Sequence, residues 1–278
     1  MITGGRAAVR SARRLVVKVG SSSISGDNAG KIEAIVEALA AAHARGVEVV
    51  LVSSGAIATG MPFLELDERP SDLATQQAAA AVGQNILIYR YQQALRVFQV
   101  VAGQVLLTAG DLENPTHRSN ARRAMERLLG LRILPIVNEN DTVATHEIRF
   151  GDNDRLAALV ARLIGADALV LLSDIECLYT RPPSEPGAQP ISHVAFDDDL
   201  SGYEFGSVVV NSVGTGGAAT KVSAARLATA SGVGVLVTSA DLVGEALSGA
   251  DIGTWFEPSP AGATPTTGVI ETPTAVHG

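Results

Sequence analysis

The chain has 278 residues, 46% hydrophobic and 18% charged with 28 glycines, a composition able to bury one large core and unlike that of a disordered chain. Its formal net charge of −8 counts against a nucleic-acid binder, which carries a basic footprint, so any anion site must be built from local cations and backbone amides. Cys177 is the single cysteine, which excludes an intrachain disulfide and a cysteine-based zinc site.

Arg6, Arg10, Arg13 and Arg14 precede an apolar run, residues 15–17, that is too short for a signal peptide. No apolar stretch approaches the roughly 18 residues of a membrane helix, so a soluble, cytoplasmic protein is expected. Residues 15–19 read as a first strand, closing on Lys18-Val-Gly20 and three serines. A lysine, a glycine and hydroxyls at a strand end can offer an ammonium and backbone N–H groups to a phosphate. The alternative is a lysine snorkelling from the strand, and the segment is not a Walker A loop.

An Ala-rich helix follows at 31–45, then a β-branched run at 47–52 of the kind found in strands buried on both faces. Ser53-Ser54-Gly55-Ala56-Ile57 comes directly after it, either as a ligand loop at a strand's carboxyl end or as a plain turn with a capping serine. Residues 75–97 read as a helix, 100–107 as a strand, 121–129 as a helix and 131–137 as a strand. The densest polar cluster comes next, Asn138-Glu-Asn-Asp141-Thr142, followed by Phe150-Gly-Asp-Asn153-Asp154 opening a helix whose apolar face carries Leu156, Leu159, Val160 and Leu163. Asp152 suits a helix cap, but one cap does not account for the whole set, and EF-hand calcium spacing is absent.

A strand at 168–172 ends on Ser173-Asp174, and a helix at 223–230 and a strand at 233–238 continue the alternation. Before that helix runs Gly214-Thr-Gly-Gly-Ala-Ala-Thr-Lys221, where glycines permit close approach to phosphate and Lys221 can neutralise charge; a flexible linker is the alternative. Strand–helix–strand repetition predicts an α/β fold with a mainly parallel central sheet. Residues 181–190, with four prolines, and Asp197 to Asp199 form either a lid or a solvated surface loop. Residues 1–257 read as one domain, and 258–278, rich in Pro, Thr and Gly, as a disordered tail.

These segments together resemble the amino-acid kinase family over roughly residues 13–256. The most specific matches are SSGAIATG at 53–60, VNENDTVAT at 137–145, GDND at 151–154 and GTGGAATK at 214–221, and they resemble most the branch that phosphorylates free glutamate. The resemblance implies a three-layer α/β/α sandwich with about eight strands. It implies ATP with Mg²⁺ over the C-terminal half and L-glutamate over the N-terminal half, as the first step toward proline. By motif position, Ser54, Gly55, Asp141 and Asn153 bind glutamate. Gly20, Ser173, Asp174, Thr215, Gly216, Gly217, Ala218, Ala219 and Thr220 bind ATP. Lys18 and Lys221 flank the transferring phosphoryl group, held by Asp154, and no metal-ligating side chains are assigned. A homo-oligomer, feedback inhibition by proline and a glutamyl phosphate reductase receiving the product are further implications.

The chain departs from the family pattern in two places. Many members carry a C-terminal PUA domain, which is not recognisable here, and Cys177 stands where a glycine usually precedes Leu-Tyr. If that position needs a positive φ, the turn beside the nucleotide is altered. The competing expectations are another acyl-phosphate kinase of the same fold, acting on N-acetylglutamate, aspartate or carbamate, and a catalytically silent regulatory module.

Overall fold

Val16, Val17 and Val19, and Val49, Val50 and Val52, lie in the runs expected to form buried strands, and these runs sit at the centre of an eight-stranded sheet. The computed structural model describes residues 5–24, 30–144, 153–205, 209–211 and 214–260. In chain order its elements are α1 (Ala7–Ser11), β1 (Arg14–Val19), α2 (Lys31–Ala44), β2 (Glu48–Val52), α3 (Ala56–Gly60), α4 (Leu73–Arg96), β3 (Ala102–Leu107), α5 (Ala109–Glu113), α6 (Pro115–Gly130) and β4 (Leu134–Glu139). Then come α7 (Asn153–Ile164), β5 (Ala168–Ser173), β6 (Leu178–Tyr179), β7 (Pro190–Ile191), β8 (His193–Val194), β9 (Val209–Asn211), β10 (Gly214–Gly216), α8 (Ala218–Thr229), β11 (Gly234–Ser239), α9 (Val243–Ser248) and β12 (Thr254–Phe256).

The sheet order is β3-β4-β2-β1-β5-β11-β12-β8, parallel at every pairing except β11 with β12. Alternate residues feed opposite layers, as a pleated strand requires. Leu15, Val17, Val49, Leu51, Val170 and Leu236 pack against α1, α2, α4 and α9. Val16, Val50, Val52, Leu169, Leu171 and Val235 pack against α6, α7 and α8. The result is the mainly parallel sheet that strand–helix alternation predicts, within the three-layer sandwich that the resemblance implies.

The differences from the expected boundaries have local causes. The helix expected at 121–129 begins at Pro115, because Asn114 accepts from the N–H groups of Thr116 (2.9 Å) and His117 (3.1 Å) and proline suits the first turn. The strand expected from 131 starts at Leu134, because the chain turns at Leu131 and Arg132, the latter with φ of 59°. The proline-rich segment is the turn of the β6–β7 hairpin, closed by Thr180 N–H to the Gln189 carbonyl (2.9 Å). Asp198 and Asp199 cap the backbone N–H groups of Leu200 and Ser201, each at 2.9 Å. Cys177 is not left-handed: Glu65, Gln99, Arg132 and Leu200 are the non-glycine residues with positive φ among those described. The family glycine is therefore replaced here without backbone strain.

The parallel strands β1, β2, β4 and β5 deliver their carboxyl ends to one edge of the sheet, carrying Gly20, Ser53, Glu139 and Ser173. The chain runs to β2 on one side of β1 and later to β5 on the other, and such a reversal opens a crevice at the strand ends. Among the described residues, no helix is long and apolar enough to cross a membrane.

Candidate active site

Lys18 keeps step with Val16 along β1, so its side chain leaves on the face covered by α7 and α8. Asp154 enters from the first turn of α7 and Lys221 from the first turn of α8. The three meet there. Lys18 Nζ lies 2.5 Å from Asp154 Oδ1 and Lys221 Nζ 3.1 Å from Asp154 Oδ2. Asp154 is wholly buried, while Lys18 and Lys221 are 5% and 7% exposed, so Lys18 does not snorkel. Thr220 Oγ1 accepts from the Gly217 N–H (3.2 Å) and lies 3.3 Å from Asp154 Oδ2, tying the glycine turn to the triad.

Burial alone would raise the Asp154 carboxyl, but the ammonium of Lys18 and then that of Lys221 outweigh it and hold it at about 2, against an ordinary 3.8. Because the folded value is the lower one, the stability this adds is complete above about pH 4 and is lost as pH falls through about 2. A depression of this size is worth about 2 kcal/mol. Urea midpoints taken stepwise from pH 5 to 2 should therefore fall more steeply for the native chain than for Asp154→Asn, and equal slopes would contradict the ion triad.

Immediately before Asp154, Asn153 begins a second cluster. Its Nδ2 donates to Ser54 Oγ (3.0 Å) and to Asn138 Oδ1 (3.2 Å), joining the carboxyl ends of β2 and β4. Asn138 Oδ1 also accepts from the Glu139 N–H (2.9 Å). Gly55 takes φ of +87°, and a Cβ there would lie 3.3 Å from Ser21 Cβ, so the loops after β1 and β2 touch. Asp141 lines a small cleft with Ala56, Gln84, Leu106, Glu139 and Thr142. Consecutive residues at the head of α7 thus join a buried cluster of cations to one of amides and a hydroxyl.

The remaining sequence candidates flank these clusters. Gly20 sits by the end of β5, with a Cβ there 3.8 Å from both the Leu172 carbonyl and Lys18 Nζ. Ser173 Oγ donates to Asp174 Oδ1 (2.9 Å) at the tip of β5. Thr215 and Gly216 belong to β10, paired with Val210 and Val209 of β9, and lead through Gly217 into Ala218 and Ala219 of α8. Phe150, Gly151 and Asp152, with its expected cap, lie outside the described residues, as do Val213 and residues 261–278 of the expected tail.

Two residues of this region escape sequence reading. Tyr91 of α4, wholly buried, shares a 3.1 Å hydrogen bond with Ser53 Oγ, and burial pushes its hydroxyl up to about 12, so it is a neutral strut. Gln84 Oε1 accepts from Asn138 Nδ2 at 2.7 Å. The available signal was positional: Ala80, Gln84 and Ile88 fall at i, i+4 spacing on one helix face.

A model of the Amino acid kinase family matches residues 13–239. A glutamate 5-kinase from Clavibacter sepedonicus is 72% identical over 258 residues, which cover 93% of this chain and 99% of that one. One from Leifsonia xyli subsp. xyli is 69% identical over 259 residues, covering 93% and 96%. Among solved structures, a carbamate kinase from Giardia lamblia bound to AMP-PNP aligns with a TM-score of 0.66 at 16% identity, over 90% of this chain and 100% of that one. At that identity the likeness speaks to fold alone.

Proposed function

The chain belongs to the amino acid kinase family and is a kinase, and within that family we propose that it phosphorylates the side-chain carboxylate of free L-glutamate with MgATP. The observation that carries phosphoryl transfer is the buried triad. Lys18, Lys221 and Asp154 sum to one positive charge in a site nearly closed to water. An uncompensated buried charge is costly, so the site favours an anion beside the two ammoniums. The names of relatives 72% and 69% identical, together with the Asn138–Thr142 and Asn153–Asp154 segments, support glutamate as acceptor.

The nucleophile needs no general base, since a glutamate side chain with a pKa of about 4.3 is ionised at neutral pH. Its oxygen attacks the γ-phosphorus, the bond from that phosphorus to the bridging oxygen of ADP breaks, and the products are L-glutamate 5-phosphate and ADP. The work left to the protein is to bring two anions together and to stabilise charge in flight. Lys18 and Lys221 supply that charge, and Asp154 fixes both ammoniums to one carboxylate. Ser54, Gly55, Asp141 and Asn153 hold glutamate, with Asp141 facing its α-ammonium. Gly20, Ser173, Asp174 and residues 215–221 hold the nucleotide.

Among the described residues, no cluster of three His, Cys, Asp or Glu side chains forms a metal cage. Mg²⁺ would enter on the triphosphate, whose oxygens suit that hard cation, and would neutralise part of the phosphate charge. Acyl phosphates hydrolyse readily, so a reductase that consumes the product is the natural next step.

The test is hydroxamate trapping with MgATP, offering L-glutamate, N-acetyl-L-glutamate and L-aspartate in parallel. Hydroxamate should form from glutamate, and Lys221→Ala, which removes half of the positive charge, should cut kcat by about a hundredfold or more. Product from another acid alone would keep the chemistry and discard the substrate. Silence with every acid, from protein that still binds ATP, would discard the activity.

A further inference from the structure

We propose that Gln84 is a positioning residue that turns the Asn153 side-chain oxygen toward the substrate's ammonium group, acting through Asn138. The inference rests on the glutamate reading above. It starts from a backbone group whose polarity is not in doubt: the Glu139 N–H can only donate, and its acceptor is Asn138 Oδ1. Asn138 Nδ2 must then face the other way, where Gln84 Oε1 receives it at 2.7 Å. Asn138 Oδ1 also takes a hydrogen from Asn153 Nδ2, and the same Nδ2 reaches Ser54 Oγ. With both of its N–H bonds committed, Asn153 has only its oxygen left to offer a ligand. That oxygen is buried and has no hydrogen-bond partner among the described residues.

A buried acceptor without a donor is costly, and a ligand that donates relieves the cost. An α-ammonium does so, whereas a dicarboxylate lacking the amino group cannot. Asn138 is 1% exposed, so without an acceptor at position 84 its Nδ2 has no water to turn to, and the amide swings, releasing Asn153. Gln84 thereby acts from α4 on recognition of the amino group without touching the reacting atoms.

Three proteins and two ligands test this: the native chain, Gln84→Leu and Gln84→Glu, with L-glutamate as substrate and glutarate as competitive inhibitor. Glutarate is glutamate without its amino group. Gln84→Leu should raise the KM for glutamate by about tenfold while kcat stays within about threefold and the KM for ATP is unchanged. The glutarate inhibition constant should move by less than about twofold, because the lost contact is to a group glutarate lacks. Gln84→Glu keeps an acceptor for Asn138 and should restore the native ratio of glutamate KM to glutarate inhibition constant, since any repulsion from the added carboxylate falls on both ligands alike. Glutamate KM and glutarate inhibition rising together, no change in either, or Gln84→Glu failing as Gln84→Leu does would each overturn the relay. Failure of the glutamate reading shows separately, as native protein that gives no product from glutamate.

Discussion

Asp154→Asn should lower kcat by at least about a hundredfold, destabilise the unliganded protein by about 3–5 kcal/mol, and leave nucleotide affinity undiminished. The carboxylate stands between two buried ammoniums, 2.5 Å from one and 3.1 Å from the other. An asparagine of the same shape keeps the volume and removes the charge, so the triad passes from a net +1 to +2 with almost no water to screen it. Lys18 and Lys221 then repel each other, and the geometry on which transfer depends is lost. A triphosphate is drawn to +2 at least as strongly as to +1, so binding and turnover should separate. Thermal unfolding with and without saturating MgATP reads the same physics: the deficit of the variant should shrink when phosphate supplies the missing negative charge. An equal deficit in both conditions would mean that Asp154 serves packing alone. Lys221→Ala takes the triad from +1 to 0 and should shift nucleotide affinity the opposite way.

The place of each triad member at a strand end or helix start was legible in the sequence, whereas their grouping and the role of Asp154 were implied only by the family resemblance. Lys18 closes a buried strand, Asp154 opens a helix, and Lys221 follows a glycine run into another helix. Parallel-sheet logic then gathers strand ends and helix starts along one edge, which is why residues 18, 154 and 221 meet. What periodicity could not supply is what tertiary packing decides. β8 and β12 are two and three residues long, too short for a pattern, and β12 is anchored by Trp255 lying against Gly234, where a Cβ would come within 2.4 Å of the ring. The β6–β7 hairpin likewise offers two residues a side around a proline-rich turn that reads as a loop. Gln84 was missed for another reason. An amide on a long helix is ordinarily a solvated side chain, and only the approach of Asn138 from β4 gives it a function.

The approach of α4 to the site depends on a glycine pair, and Gly83→Ala should destabilise the protein by more than about 3 kcal/mol. Intrinsic propensity predicts the opposite sign, since alanine is favoured over glycine in a helix by about 1 kcal/mol. Contact wins over propensity here. A Cβ on Gly83 would fall 1.8 Å from the Ala56 carbonyl oxygen and 2.5 Å from the Gly60 nitrogen, and one on Gly60 would fall 1.9 Å from the Ala79 carbonyl oxygen. All of these are backbone atoms that no rotamer change can clear, so α3 and α4 must part. α3 begins directly after Ser54 and Gly55, and Gln84 is the neighbour of Gly83, so the separation pulls apart the cluster assigned to glutamate. The Lys18–Asp154–Lys221 cluster on α7 and α8 lies on the opposite face of the sheet from α4. At a temperature where the variant is still folded, the KM for glutamate should therefore rise several-fold while that for ATP changes little. Ala81→Gly, at an exposed position of the same helix, provides the control: it should cost only about 1 kcal/mol and leave both constants alone. Calorimetric unfolding of the two variants decides the matter, because a Gly83→Ala protein as stable as the native one would mean that the two helices can separate freely and that their contact does not hold the substrate side in place.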